Sequence, residues 1–152
     1  MNKIKLSWMF IGGFVTFIVW VAVEIIVEQV IWRFLFGNRI QELWLQTTNL
    51  RHWGTANNVI NILIALINCI VLIWLYASLR PMFGVGVKTA LITSAFGVVL
   101  GFSLTVNGIN LGLFPPQIGL VELVFETIEF PIAMIAGALV YEGSSKRMVE
   151  QF

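Results

Sequence analysis

QIGLVELVFETIEFPIAMIAGALVY, residues Gln117–Tyr141, is the stretch whose reading decides the fold. It is long and apolar enough for a helix across a bilayer, which needs about 20 residues. Yet it carries Glu122, Glu126 and Glu129. At about 100° per residue these acids fall within a wedge of about 60° on a helix. A carboxylate at the bilayer centre costs roughly 2.5–3.5 kcal/mol even on insertion scales. Three on one stripe therefore face other helices, water or a bound cation rather than lipid.

The rest of the chain fits a membrane setting. Of its 152 residues, 59% are hydrophobic and 11% charged, against about 25% charged in soluble domains. Three further segments reach spanning length, which predicts spans at about 7–31, 57–79, 87–107 and 118–141. Lipid leaves helices or closed barrels as the spanning options, and the strict alternation of a barrel strand is missing. The expectation is an all-α four-helix bundle, one transmembrane domain over residues 1–152. Lys3 and Lys5 precede an apolar run too long for a signal peptide, so that run reads as a retained first span.

Orientation follows from Lys and Arg. Lys3, Lys5, Arg80, Lys88, Lys146 and Arg147 fall on one side of such a bundle, and Arg33, Arg39 and Arg51 on the other. This predicts both termini in the cytoplasm. The first outer connection contains NRIQELWLQ, Asn38–Gln46, with Ile40, Leu43 and Trp44 on one helical face. With Asn38 as N-cap and Gln41 in the capping-box position, it predicts a short amphipathic helix in the interface. Trp32, Trp44 and Trp53 would sit at headgroup depth. Pro81 is expected to end the second helix, with Gly84 and Gly86 allowing the turn. Pro115 and Pro116 should keep the last two helices apart. The tail after Tyr141 is polar and expected to fray.

Other polar residues also keep to stripes. The first span has Glu24 and Glu28 one turn apart. The second has Asn57, Asn61 and Asn68 within about 40°. The third ends at Asn107 and Asn110. At 1.5 Å per residue, Glu24, Glu126, Asn57, Asn61 and Asn107 lie in the outer half of the membrane, while Glu129 and Asn68 reach toward its middle. The expected centre is a polar cavity near the outer face above an apolar floor. Glu24, Glu126 and Glu129 would be its ligand- or ion-binding acids, and Asn61 and Asn107 their neutral partners. Glu28, Glu122, Asn57 and Asn68 form a secondary set. Five carboxyls in low dielectric cannot all stay ionised, so protons or a cation must neutralise some of them. Arg33 and Arg51 are on the same side and are candidate partners for Glu28 or Glu122. Each of these acids also has a structural reading: Glu28 and Glu122 as water-facing interface residues, Glu126 and Glu129 as a carboxyl–amide network. The Asn stripe likewise reads as inter-helix glue.

Several chemistries lack their residues. Cys69 is the single cysteine, so neither an internal disulfide nor a Cys-based metal cluster is available. His52 is the single histidine and lies outside the spans, which leaves no Glu-x-x-His pair for a di-iron bundle and no axial His for haem. No nucleophile–base pair is visible in the spans, so an intramembrane enzyme has the least support. No cofactor is expected. No basic stripe with interleaved aromatics points to nucleic acid. Gly97 with Gly101, and Ala133 with Gly137, are small-xxx-small pairs that permit close helix approach. Pro131 removes a hydrogen bond from the carbonyl of Thr127 beside Glu129, a place for a kink.

The segment LYASLRPMFGVGVKTAL, Leu75–Leu91, resembles one in small four-span bacterial integral membrane proteins of an uncharacterised family. The resemblance implies a bacterial inner membrane and no particular activity. The leading expectation is a small binding or transport protein whose acidic cavity handles a proton, a cation or a cationic small ligand. The alternative is an accessory subunit of a larger membrane complex. The lipid bilayer is the expected surrounding in either case, with a homo-oligomer or that complex as protein partner.

Overall fold

A computed structural model describes residues 6–38, 42, 55–112 and 115–149. Helix α1, Leu6–Ile26, runs into a π-helical turn at Val27–Trp32 and a short α2, Arg33–Phe36. Three long helices follow: α3 at Thr55–Phe83, α4 at Val87–Asn110 and α5 at Pro116–Val149. No strand occurs among the described residues. Four helices are long and apolar enough to cross a membrane, with spans Leu6–Ile26, Val59–Phe83, Val87–Asn110 and Pro116–Gly143. Of the predicted interfacial helix only Asn38 and Glu42 are described, the Glu42 N–H donating to Asn38 O at 2.9 Å; Trp32 ends the π-helical turn, and Trp44 and Trp53 lie outside the described residues.

Helix α1 packs on α5 and α3, and α4 packs on α5 and α3, which closes a four-membered ring. The approach of α1 is set by missing side chains. A Cβ on Gly12 would stand 3.1 Å from Gly137 O, and one on Gly13 would stand 2.7 Å from Ile70 Cα. Small residues bring backbones together where lipid offers no hydrophobic drive between helices. Thr16 is buried in the same seam, its hydroxyl donating to Gly12 O at 2.9 Å. The close contact expected at Gly137 is therefore present, with α1 as its partner.

The core sits in the half of the bundle that holds the chain termini. Met9, Leu72, Ile73, Tyr76, Ala77, Met134 and Ala138 are buried there. Outward residues such as Phe10, Phe14 and Ile18 on α1 are about half exposed, as lipid-facing side chains would be.

Two helix ends differ from the sequence expectation. Pro81 lies inside α3 rather than ending it. A proline so near a C-terminus deletes a single hydrogen bond, which the last turn tolerates. The stop is Gly84, whose φ of +91° suits only glycine and whose N–H donates to Arg80 O at 3.0 Å. The polar tail also continues α5 as helix to Val149 rather than fraying after Tyr141. The α4–α5 turn follows the expectation: Gly112 adopts φ +70° after α4, and Pro116 opens α5 at a position where its missing N–H costs nothing.

Candidate functional site

The antiparallel contact of α1 with α5 sets the end of one beside the start of the other. Glu24 on α1 thereby comes within electrostatic reach of Glu28, Glu129 and Glu126. Glu122 lies within electrostatic reach of Glu126, Glu24, Glu28 and Glu129. Five acids from two helices thus share one region, in the half of the bundle away from the apolar core.

Their exposure is graded. Glu28, in the π-helical turn, is exposed; Glu24, Glu122 and Glu126 are half-buried; Glu129 is 5% exposed. The π-helical turn widens the helix by one residue per turn where Glu28 sits, a distortion frequent at functional sites. Along α5 the acids extend over about 10 Å, from the helical rise. They line a seam rather than converge on a point. Accordingly, among the described residues no three acidic, His or Cys side chains are arranged to hold a metal ion.

Among the described residues, two polar atoms in this region are buried without a hydrogen-bond partner: Oε2 of Glu126 and Nε1 of Trp20. Oε2 lies against the bare Cα face of Gly101 on α4, where an added Cβ would stand 2.5 Å away. Gly101 thus provides the volume that the carboxylate occupies. The Trp20 indole N–H neighbours the Glu129 carboxyl, and the two do not close a well-aligned bond. The Trp20 ring stacks on Phe130, with centroids 6.1 Å apart and planes at 17°. Neither Trp20 nor Gly101 was expected here. Trp20 precedes Glu24 by one turn on the same face, and that spacing was the signal available. Gly101 read as a packing residue, and only its position across from Glu126 gives it another part.

No side-chain hydrogen bond links the amides to the acids among the described residues. Asn61, Asn68 and Asn107 are exposed, and the side chain of Asn57 lies outside the described residues. The reason is the ring order: α3 packs chiefly on α1 and α4, and its inward face is taken by Leu72, Ile73 and Tyr76. A stripe on one helix therefore does not ensure a shared interior. Arg33 is exposed and forms no ion pair among the described residues, and Arg51 lies outside them.

A second polar centre stands at the opposite end. Arg80 Nη1 donates to Glu142 Oε1 at 2.9 Å, with side chains 12% and 13% exposed. The Tyr76 hydroxyl donates to the same oxygen at 3.2 Å and accepts the Gly86 N–H at 3.1 Å. Arg80 also lies 5.6 Å from the Tyr141 ring centre. These contacts tie the α3–α4 turn to α5. The pairing spans 62 positions, and no local pattern announces it.

No protein-family model matches the chain, and neither a curated protein nor a solved structure is similar to it.

Proposed function

We propose that the chain is a small membrane binding or transport protein whose carboxyl seam takes up a proton, a cation or a cationic small ligand. The observation that carries this reading is that Glu24, Glu122, Glu126 and Glu129 lie along one seam within electrostatic reach of each other, with one Glu126 oxygen buried and without a hydrogen-bond partner among the described residues. Buried acids without basic partners gain stability from a proton or a cation. Trp20 and Phe130 add aromatic surface next to Glu129, which suits an organic cation. Glu24, Glu126 and Glu129 are the binding residues, with Glu28 and Glu122 leading to them. The distribution of Lys and Arg supports cytoplasmic termini, so the seam opens toward the outer face. The proposed setting is a bacterial inner membrane, as the resemblance read from Leu75–Leu91 implies.

The test is thermal stability of the purified chain in detergent against pH, sodium ion and tetraphenylphosphonium. The wild type should gain several degrees on acidification or on addition of one of the cations. Glu126→Gln and Glu129→Gln should each lose most of that gain. A wild type and mutants that respond alike to every condition would refute the reading.

A further inference from the structure

Helix α3 buries Cys69, Leu72, Ile73, Tyr76 and Ala77. Its other side carries a second pattern. Asn61, Ile64, Asn68, Val71, Leu75 and Ser78 alternate at spacings of three and four. This is the a/d seam of a left-handed coiled coil, with both asparagines at a positions. All six are exposed except Leu75, which is half-buried. The seam is centred roughly 140° around the helix from the buried stripe, so the bundle does not use it.

The asparagines make this face unsuited to lipid. Asn68 lies about 4–5 Å along the helix from the midpoint of the Val59–Phe83 span. Its side chain is too short to reach water from there, and it makes no hydrogen bond among the described residues. Hydrocarbon offers neither donor nor acceptor. The occupant must bring amide-like chemistry at this depth and an apolar stripe at heptad spacing on either side.

A second copy of the same helix brings both. The carboxamide carries donors and an acceptor, so it is complementary to itself. Copies of one chain insert the same way up, so a two-fold axis along the membrane normal sets identical residues opposite each other at equal depth. Asparagine at an a position specifies register and oligomer state. We propose that α3 is the seam of a parallel homodimer in which the Asn68 amides pair across the two-fold axis and Ile64 and Val71 pack above and below them. This interface does not depend on the reading of the carboxyl seam.

The experiment follows the full chain in liposomes, with single-molecule photobleaching across a series of protein-to-lipid ratios. The wild type should be dimeric. Asn68→Val should weaken dimerisation about three- to thirtyfold, and Asn61→Val, nearer the helix end, should weaken it less. Phe102→Ala, on the exposed face of α4, should change nothing. A second measurement does not rely on Asn68: in a Cys69→Ser background, Ile64→Cys and Val71→Cys should cross-link on oxidation, and Leu104→Cys should not. A wild type that stays monomeric at every ratio overturns the proposal, including one that instead co-purifies with a different membrane protein at fixed stoichiometry. Dimers indifferent to Asn68→Val, or cross-linking equal at seam and control positions, overturn it too.

Discussion

Gly13 and Gly101 both leave room for a neighbour, and what a methyl would meet separates them. At Gly13 it would stand 2.6 Å from Ile70 Cγ1 and 2.7 Å from Ile70 Cα. Backbone cannot step aside without moving the helix, so Gly13→Ala should cost about 1–3 kcal/mol, seen as a lower Tm in detergent. At Gly101 the methyl meets the end of a flexible side chain, Glu126 Oε2. Gly101→Ala should therefore cost less than about 1 kcal/mol, while the response of Tm to pH and cations shifts as the carboxylate is displaced. Equal losses at both positions would show that the carboxylate is not seated on Gly101. The acids themselves were legible from sequence, because charge in an apolar run is expensive and their helical spacing is fixed. Their neighbours were not. Seating on Gly101 depends on how α4 and α5 are aligned, which no spacing within one helix encodes.

At the scale of elements, α3 and α5 are joined by a charge pair that no sequence pattern marked. Glu142→Gln removes the counter-charge from a largely buried guanidinium, and breaking such a pair costs about 3 kcal/mol or more. The Tm should fall accordingly. Arg80→Met with Glu142→Met should recover most of that loss, since well-packed apolar replacements of a buried pair are often neutral. A double variant no better than Glu142→Gln would show that the pair also has an ordering part, through Tyr76 and Gly86. The same contact explains why the tail was misread. EGSSKRMV is polar and carries no tertiary signal of its own, yet Glu142 is pinned by a residue on another helix. Pro81 was misread for a different reason. Its effect depends on how many hydrogen bonds remain beyond it, and near a C-terminus that number is small.

For the whole molecule, the number of spans followed from hydropathy because lipid leaves the backbone few options. Which faces meet did not follow: the Asn61 and Asn68 stripe, expected inside, lies on the exposed side of α3, and the buried side is the apolar one. The arrangement predicts a labelling pattern. Cysteines replacing Val85 and Leu111, both exposed and in opposite turns, should react with an impermeant maleimide from opposite sides of a sealed vesicle, Val85 from the cytoplasmic side. Native Cys69, 3% exposed, should stay unlabelled. Reaction of both turns from one side would break the four-span topology.

Glu28 is exposed, Glu24, Glu122 and Glu126 are half-buried and Glu129 is buried, and beyond Glu129 come Met134 and Ile73, both fully buried. Movement past Glu129 toward the other end of the bundle would therefore have to displace packed side chains. Parting α1 from α5 would mean breaking the close contact at Gly12, where a Cβ would stand 3.1 Å from Gly137 O. If the seam takes up an ion as proposed, its occupancy would follow the compartment it opens to, the behaviour of a gauge rather than a conduit.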